Sequence, residues 1–276
     1  MSVGYSYYHL VLSYDFKITH IDVRQGDAIL LQSHTKNILV DTGGSAYVDV
    51  GKRSLIPYLK QQWISQIDVL VITHADIDHY GGARSVLEKI AVKQVWFADN
   101  VVEDKNYQSL IDFINSKKIP IKRVEDGGEF VISERFKIKV LAPLKIEGRS
   151  FDDNDSSVVL KVEFDQFAAL LTGDISEELE GYLIKRYRSE LKADYLKVAH
   201  HGSRTSSSMQ FLKIVRPNFA SIGVDENSRF GHPHQVVLNR INEMGTKLLR
   251  TDLNGASGVI LNEGKLSWFC YMENCL

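Results

Sequence analysis

A dense group of candidate metal ligands lies directly after an apolar run near residue 70. Residues 74 to 79 read His-Ala-Asp-Ile-Asp-His, so His74, Asp76, Asp78 and His79 fall within six positions. The preceding residues, 69–72, are all apolar and predict a buried strand. Imidazole and carboxylate groups together suit Zn²⁺, Mn²⁺ or iron rather than a metal bound by thiolates. A solvated turn with an aspartate helix cap is the alternative interpretation.

The same arrangement recurs at two later predicted strand ends. Residues 168–172 run into Asp174, and residues 195–199 run into His200 and His201. Six of the nine histidines lie in three clusters, at positions 74/79, 200/201 and 232/234. Histidines of a solvated surface would not concentrate at strand ends in this way. The recurrence therefore favours a metal site over a solvated turn.

These motifs, in their order along the chain, resemble those of the metallo-β-lactamase superfamily. More narrowly, they resemble the hydrolase domain of the competence-type DNA-uptake membrane proteins, the ComEC/Rec2 family. Together they span roughly residues 17–262. The matching segments are residues 21–28 (IDVRQGDA), 39–44 (LVDTGG), 74–82 (HADIDHYGG), 154–157 (NDSS), 171–174 (LTGD), 196–203 (LKVAHHGS) and 231–234 (GHPH).

Strand-like and helix-like segments alternate along the chain, with antiparallel pairs inserted, which is typical of a layered α/β fold. The resemblance makes this specific: one domain over residues 1–276, an α/β four-layer αββα sandwich with the site at strand ends between two sheets. The pattern predicts helices at residues 51–63, 82–90, 104–117, after 174 and at 235–245, and strands at residues 16–23, 28–32, 37–41, 68–72, 94–97, 120–124, 129–133, 136–141, 157–164, 167–172, 195–199, 247–250, 256–262 and 265–270.

The resemblance also implies a centre of two divalent ions, Zn²⁺ or Mn²⁺, about 3.5–4 Å apart. It places His74 and Asp76 on the first ion and Asp78 and His79 on the second. Asp174 would bridge the two ions, because Gly173 before it allows a close backbone approach.

One member of the histidine pair would complete the ligand set of the second ion. His200 is preferred because it comes first after the strand, with His201 behind it or facing the substrate. Asp41 matches the superfamily residue that holds a ligating imidazole in place. Asp27 is interpreted as a turn cap.

Two departures from the superfamily pattern bear on the metal. The superfamily usually has a histidine where Asp76 stands, and the competence-type group shares this change. A further ligand histidine of the superfamily is missing from residues 154–157, where Asn154 or Asp155 could supply an oxygen or the site could stay open. Both departures remove an imidazole and leave a larger share of oxygen ligands, which hard metal ions prefer. Mn²⁺ is therefore expected alongside Zn²⁺.

Two residues are candidates for catalytic roles. Asp78 would orient the attacking hydroxide, and His232 would stabilise the transition state or protonate the leaving group. Ser203 offers a hydroxyl for phosphate, although helix capping is the role expected for most of the serine-rich segment that it begins. His234 is expected either to contact substrate or only to pack or cap.

Arg24 stands where the family has a glycine after Asp-Val. If the position needs a positive φ, arginine carries a strain of about 1–2 kcal/mol. Alternatively, its guanidinium projects into the cleft and binds phosphate. Either interpretation is open from the sequence.

Composition sets limits on partners and location. The chain has 276 residues, 44% hydrophobic and 25% charged, which is ordinary for a soluble protein. No apolar run approaches the ~18–20 residues that span a bilayer, and the N-terminus does not look like a signal peptide. We expect a soluble, cytoplasmic chain, or a membrane-associated one if it is excised from a DNA-uptake channel protein. No oligomeric state is predicted.

The net charge of −2 provides no overall attraction for nucleic acid, so binding would rely on the metals or a local basic patch. Residues 185–188 (KRYR) are a candidate patch or a solvated helix face. The two cysteines, at positions 270 and 275, lie outside every ligand cluster.

The leading interpretation is a metal-dependent phosphodiesterase that uses a metal-bound hydroxide. The resemblance points to a nuclease acting on DNA, most readily single-stranded DNA. One alternative is a hydrolase of small phosphodiesters of the phosphocholine or cyclic-nucleotide type. Another is a non-catalytic, metal-bound accessory module of a transporter. A lactamase is disfavoured by Asp76 and the missing histidine.

Overall fold

The computed structural model describes residues 14–100 and 102–272 and is built around two large β-sheets. Short apolar runs form most of the strands, as expected for segments that are buried on one or both faces. In chain order the strands are β1 (Phe16–His20), β2 (Ile29–Ser33), β3 (Asn37–Val40), β4 (Gln66–Ile67), β5 (Val69–Ile72), β6 (Ala91–Val92), β7 (Val95–Ala98), β8 (Ile121–Val124), β9 (Glu129–Ser133), β10 (Phe136–Ala142), β11 (Val159–Phe164), β12 (Phe167–Leu171), β13 (Tyr195–Lys197), β14 (Phe219–Ile222), β15 (Lys247–Arg250), β16 (Ser257–Asn262) and β17 (Lys265–Cys270).

The first sheet has eight strands in the order β17-β16-β1-β2-β3-β5-β7-β8, and the second has seven in the order β15-β14-β13-β12-β11-β10-β9. A separate short pair joins β4 and β6. Each large sheet is antiparallel in one part and parallel in the other. In the first sheet the parallel part is β3-β5-β7-β8, and in the second it is β12-β13-β14-β15.

Helices connect the parallel strands. Three of them begin at side-chain caps: Asp104, Ser176 and Ser208 each accept a hydrogen bond from a backbone N–H three residues later. The α-helices are Ile56–Gln61, Ile77–Tyr80, Ala83–Lys89, Lys105–Ser116, Glu177–Tyr187, Met209–Val215, Gln235–Glu243 and Thr251–Asn254. A π-helical turn, Gly51–Leu55, precedes the first, and 3₁₀ turns occupy Arg188–Leu191 and Ala199–Gly202.

Three apolar clusters separate four layers. The central cluster lies between the two sheets, and each of the others lies between one sheet and its helices. Alternation along β5 shows how one strand serves two layers: Val69 and Val71 pack between the sheets, whereas Leu70 and Ile72 pack towards the helices. The predicted α/β four-layer αββα sandwich is therefore confirmed.

The parallel strands bring their carboxyl ends to one edge of the sandwich. The segments that follow β3, β5, β12, β13 and β14 leave the sheets at this edge, which is where α/β sheets commonly bind ligands. Across the described residues, none of the helices has both the length and the apolar character needed to cross a bilayer. That residues 1–276 form a single domain stays a prediction.

Candidate metal centre

The loop after β5 carries the first ligand group into the interior. His74 and His79 are buried, and Asp76 occupies the N-cap position of the short helix Ile77–Tyr80. The loop between β1 and β2 packs directly against this helix. A Cβ added to Gly26, which has a φ of 115°, would lie 2.1 Å from the backbone oxygen of Asp78, so only glycine fits this approach.

Three buried imidazoles meet at the edge between the sheets. The ring centroids of His74 and His79 are 4.1 Å apart, and those of His79 and His201 are 5.2 Å apart. The Nε2 atoms of all three rings are buried and make no hydrogen bond within residues 14–100 and 102–272. Buried polar atoms without partners are rare in proteins. Three of them facing one another fit a bound cation.

The Nδ1 atoms of the same rings are engaged with the protein. Nδ1 of His79 donates to Asp41 Oδ2 at 2.8 Å, and Nδ1 of His201 donates to the carbonyl oxygen of Gly223 at 2.8 Å. Because a carbonyl can only accept, His201 must carry a proton on Nδ1. In the neutral ring the Nε2 lone pair then faces the cluster, as a metal ligand requires.

Thr73 links His74 to the same carboxylate. The Thr73 hydroxyl donates to Asp41 Oδ2 at 2.7 Å and lies 3.0 Å from His74 Nδ1, from which it can accept. The backbone N–H of Thr73 donates to Asp41 Oδ1 at 2.8 Å. Asp41 thus orients two imidazoles at once, as the sequence predicts for it, but it does not itself face the three Nε2 atoms.

Asp174 lies at the centre of the cluster. Its Oδ2 is 3.3 Å from His79 Nε2 and 3.2 Å from His201 Nε2. The preceding Gly173 has a φ of 54°, and a Cβ there would lie 2.6 Å from the Ser157 Cβ. The glycine therefore permits the close approach that the sequence predicts for this turn.

The remaining carboxylates of the loop lie at different depths. Asp78 Oδ2 is 3.3 Å from His201 Nε2, and Asp76 Oδ2 is 3.5 Å from His74 Nε2. The Asp76 side chain is 48% exposed, against 23% for Asp78. Two overlapping groups have ligand atoms within 4.8 Å of one another: His74, His79 and Asp174 in one, and Asp78, His79 and His201 in the other. Asp76 borders the first group without joining it.

Two further groupings of acidic and imidazole side chains are less suited to a metal. Asp27 and Asp41 meet His79 at its Nδ1, whose proton already serves the hydrogen bond to Asp41. Asp27 and Asp174 meet His201 at a point where Lys197 supplies a cation. The first two groups are therefore the candidate metal centre.

The histidine pair has the opposite arrangement to the one expected. His201 joins the cluster, whereas His200 is half-buried with its ring 5.5 Å from that of His232. The physical reason is the backbone: His200 and His201 have φ values of 50° and 51° and are followed by Gly202 at 80°. This left-handed turn directs the second imidazole inward. Such φ values are uncommon for non-glycine residues and concentrate at functional sites.

A buried lysine that the sequence analysis does not predict as part of the site lies beside the cluster. The Lys197 ammonium is 2.5 Å from Asp27 Oδ2 and 2.8 Å from Asp174 Oδ1, and it also donates to the carbonyl oxygen of Gly173. Asp27 Oδ1 also lies 3.1 Å from His20 Nε2. Asp27 is therefore part of a buried charge network and does more than cap a turn. A lysine inside the apolar run of β13 was the signal for this network.

The charges of the cluster depend on one another. Burial opposes the charged form of His201, but the carboxylates of Asp174 and Asp27 outweigh it and raise the pKa of His201 to about 10. Burial likewise opposes ionisation of Asp174, but His201 and Lys197 hold the pKa of Asp174 well below its usual value. The pKa of Asp78 is also lowered, through His201 and His79. The positive charge of His201 thus keeps these carboxylates ionised, and a metal ion that replaces the proton on His201 Nε2 would do so as well.

The candidate oxygens from residues 154 and 155 have different surroundings. Both carboxylate oxygens of Asp155 accept hydrogen bonds from Ser176, one from its backbone N–H at 2.7 Å and one from its hydroxyl at 2.8 Å. Asp155 therefore holds the start of the helix Glu177–Tyr187. Asn154 Oδ1 is buried and makes no hydrogen bond within the described part of the chain, so this oxygen stays a candidate ligand.

The predicted substrate residues divide between structural and accessible positions. Ser203 is buried, and its hydroxyl bonds that of Thr205 at 2.9 Å, so it serves its own loop rather than a substrate. Nδ1 of His234 accepts from the backbone N–H of Arg204 at 3.2 Å, and His234 precedes the helix Gln235–Glu243, so packing is its observed role. Arg24 is exposed and lines a cavity that also contacts Asp78.

His232 lies at the outer side of the cluster. Its ring centroid is 6.4 Å from that of His201 and 5.7 Å from that of Phe230. Burial, together with the positive charge of His201 and the ring of His200, lowers the pKa of His232 to about 4. The ring is therefore neutral at pH 7, which suits a hydrogen-bond donor better than a general acid that starts protonated.

The sequence matches the family model of the metallo-β-lactamase superfamily over residues 21–220. ComE operon protein 3 of Bacillus subtilis (strain 168) is 32% identical over 258 residues, which cover 88% of this chain and 33% of that protein. Competence protein ComA of Neisseria gonorrhoeae is 32% identical over 249 residues, which cover 90% of this chain and 32% of that protein. The chain thus spans about a third of the length of these curated relatives.

Solved structures share the fold at low sequence identity. CmlA, a diiron β-hydroxylase from Streptomyces venezuelae, superposes with a TM-score of 0.58 at 12% identity, over 90% of this chain and 54% of that one. Tm1679, a metal-dependent hydrolase of the β-lactamase superfamily, superposes with a TM-score of 0.53 at 15% identity, over 85% and 95% of the two chains. The matched family model and the observed four-layer sandwich together show that the chain belongs to the metallo-β-lactamase superfamily.

Proposed function

We propose that the chain is a hydrolase with two divalent ions, Zn²⁺ or Mn²⁺, bound at the cluster. The donor set carries this proposal: three buried Nε2 atoms without hydrogen-bond partners in the described chain surround the ionised carboxylate of Asp174. His74, with Asp76 at its exposed side, would hold one ion, and Asp78 and His201 the other. His79 and Asp174 belong to or lie beside both groups, and Asp174 would be the ligand shared by the two ions. Nitrogen and oxygen ligands of this kind suit either metal.

Divalent ions in such a site act as Lewis acids and lower the pKa of bound water towards about 7. The chain's own residues prepare that site. Asp41 and the carbonyl of Gly223 fix the imidazole tautomers, and Lys197 holds one oxygen of Asp174. Asp78, which is partly exposed beside His201, would orient a nucleophilic water.

We infer that the substrate is a phosphodiester, and single-stranded DNA in particular. The competence proteins among the curated relatives support a DNA substrate, and the arginines beside Asp78 support a phosphate. His232, neutral and near the cluster, would donate a hydrogen bond to the phosphate in the transition state. In this proposal the chain is the hydrolase module of a DNA-uptake protein whose membrane segments lie outside it.

The basic segment at residues 185–188 gives this proposal little support. The Arg186 guanidinium lies 2.5 Å from Asp126 Oδ2, and the Lys185 ammonium lies over the ring of Tyr182 at 5.5 Å. These contacts are those of a solvated helix face. Attraction for a polyanion must therefore come from the metal centre and its immediate surroundings.

A small phosphodiester is the second candidate substrate. The cavity next to Asp78 has a volume of about 280 Å³, which is near the lower end for small-molecule pockets. A single phosphocholine or cyclic nucleotide would fill it. One polynucleotide strand would instead place a single unit there and extend outward.

A comparison of substrates distinguishes the two candidate functions. The purified protein would be reconstituted with Mn²⁺ or Zn²⁺ and incubated with end-labelled single-stranded DNA, a cyclic nucleotide and a phosphocholine diester. We expect cleavage of DNA, abolished by chelator and strongly reduced in Asp78→Asn. Rapid turnover of a small diester without DNA cleavage would favour the second candidate, and no turnover of any of them would support the accessory-module interpretation.

A further inference from the structure

A cavity beside the metal centre is rich in arginine. It contacts Asp78 at one side, and its lining includes Arg24, Arg53 and Arg229. These three cations outnumber the two lining carboxylates, Asp78 and Asp225, and Asp78 belongs to the candidate metal centre. The cavity is therefore locally basic in a chain whose net charge is −2. A guanidinium group binds phosphate oxygens through two parallel hydrogen bonds.

The arginines of the cavity make few close contacts with other side chains. Arg24 is exposed, and its guanidinium reaches Asp225 Oδ2 only at 3.7 Å. The Arg229 guanidinium lies 5.7 Å from the ring centroid of Tyr47. Exposed pairs of this kind contribute little to stability, so an incoming phosphate can replace them at small cost.

Two further polar groups in the lining have no partner within the described part of the chain. Both amide atoms of Gln25 and the hydroxyl of Ser228 are buried and make no hydrogen bond there. A buried amide normally makes several hydrogen bonds. Donors and acceptors of this type are the groups that a phosphate or a base edge would satisfy.

The same cavity has an apolar rim. Phe230 is 61% exposed and Ile77 is 41% exposed, and both line it. Exposed aromatic side chains beside arginines are typical of sites that bind single-stranded nucleic acid, because a base stacks on the ring while its phosphate meets the cation. The Phe230 ring also lies 5.7 Å from His232, which connects this rim to the candidate metal centre.

We propose that this cavity is a nucleotide subsite: Arg24 and Arg229 bind the phosphate next to the scissile one, Arg53 adds positive charge, and Phe230 stacks on a base. This inference rests on the proposed function, because it assumes that the scissile phosphodiester lies at the metal centre. It extends that function by making recognition depend on a second phosphate. Arg24 supports the assignment further, since its φ of 66° is one that arginine rarely adopts.

The test combines changes to the second phosphate of the substrate with substitutions of the cavity residues. The substrates would be a trinucleotide with two phosphodiester linkages, the same trinucleotide with one linkage replaced by an uncharged methylphosphonate, and bis(4-nitrophenyl) phosphate. The enzymes would be the Mn²⁺-loaded wild type, Arg24→Gln, Arg229→Gln and Phe230→Ala. The matched control is Arg216→Gln, because Arg216 is also an exposed arginine with a positive φ but precedes β14, at the opposite edge of the sheet.

We expect each of Arg24→Gln and Arg229→Gln to lower kcat/KM for the trinucleotide about tenfold, as for loss of a charged hydrogen bond. The methylphosphonate should lower kcat/KM for the wild type similarly but have little further effect on these two variants. Turnover of bis(4-nitrophenyl) phosphate should fall much less in these variants than kcat/KM for the trinucleotide, because this substrate has no second phosphate. Phe230→Ala should weaken trinucleotide binding about tenfold through lost stacking.

A binding measurement keeps this inference separate from the proposed function. Fluorescence anisotropy of a hydrolysis-resistant phosphorothioate single strand reports affinity even if the chain cuts nothing. We expect the salt dependence of log K to become shallower by about 0.7 for each arginine removed. Equal affinity of wild type, Arg24→Gln and Arg229→Gln would overturn the subsite, whatever the activity. Equal losses on all three substrates would overturn it as well.

Discussion

The ammonium of Lys197 lies 2.8 Å from Oδ1 of Asp174, so the other carboxylate oxygen, Oδ2, is the one that faces His79 and His201. The buried Lys197 ammonium thus fixes the orientation of the Asp174 carboxylate, with one oxygen towards the lysine and the other towards the histidines. The same ammonium is 2.5 Å from Asp27 Oδ2. The site is built on alternating buried charges, with Lys197 between two aspartates.

Replacing Lys197 by methionine should destabilise the fold strongly. The change leaves Asp27 and Asp174 buried without their counter-ion, and breaking a buried ion pair in this way costs about 3–5 kcal/mol. The measurement is urea unfolding of the chelator-treated protein, compared with wild type. Lys161→Met is the control, because the buried Lys161 ammonium donates to the backbone oxygen of Lys192. That variant should lose less, about 1.5–3 kcal/mol, because only one hydrogen bond of a charged group is removed. Similar losses for the two variants would contradict the charge network.

The two adjacent histidines should differ sharply in function. His201→Ala removes an Nε2 that lies 3.2 Å from Asp174 and 3.3 Å from Asp78, so we expect it to lose about one metal ion per chain and most activity. His200→Ala should keep its metal, because its ring lies away from the ligand groups. Metal content of the two reconstituted variants, measured by mass spectrometry, decides between them. Loss of metal from His200→Ala but not from His201→Ala would show that His200 is the ligand, as the sequence predicts.

Arg24→Gly should separate stability from substrate binding. The φ of 66° at this position costs a non-glycine residue about 1–2 kcal/mol. Glycine removes this cost, but it also makes the unfolded chain more flexible, which offsets part of the gain in stability. We expect the free energy of unfolding to rise by about 0.5–1 kcal/mol while affinity for single-stranded DNA falls. Parallel urea unfolding and anisotropy measurements test both halves. A variant that is less stable than wild type, or that binds DNA unchanged, would contradict the account.

Glu180 should make the stability of the protein depend on pH. Burial raises the pKa of Glu180 to about 7 from an ordinary value of 4.5, despite hydrogen bonds from the backbone N–H groups of Ser207 and Ser208. Since the folded state binds the proton more tightly, this side chain stabilises the fold at low pH and the stability is lost as the pH rises from about 4.5 to about 7. The loss attributable to it is about 3 kcal/mol.

Glu180→Gln isolates this effect from other titrating groups. Glutamine is neutral at every pH, so the decrease in the free energy of unfolding between pH 5 and pH 8 should be smaller in the variant than in wild type. Urea unfolding at several pH values measures the difference. The same pH dependence in both proteins would show that Glu180 is not the responsible group.

Much of the fold could be predicted because its strands are apolar runs with clear ends. The predicted strands at residues 129–133, 247–250 and 265–270 have the observed bounds, and others differ by a few residues. Strand β14 was missed. It has only four residues and directly follows Pro217 and Asn218, and parallel pairing with β13 and β15 forms it. That pairing is a tertiary effect which local sequence does not encode.

The ligand loop could also be predicted, whereas the inward histidine could not. Residue type and spacing predict His74 and His79 as ligands, and both lie in the cluster. Which of His200 and His201 turns inward depends on two consecutive left-handed residues, a conformation that histidine adopts only when the surrounding structure imposes it. The role of Lys197 depends likewise on Asp27, a partner 170 positions earlier in the chain.

The central claim is that His74, His79, His201, Asp78 and Asp174 bind two divalent ions. Anomalous diffraction from crystals grown with Mn²⁺ tests it most directly. We expect two anomalous peaks, one bonded to His74 Nε2 and one to His201 Nε2, with Asp174 contacting both. A single peak, or a peak bonded to His200 in place of His201, would contradict it.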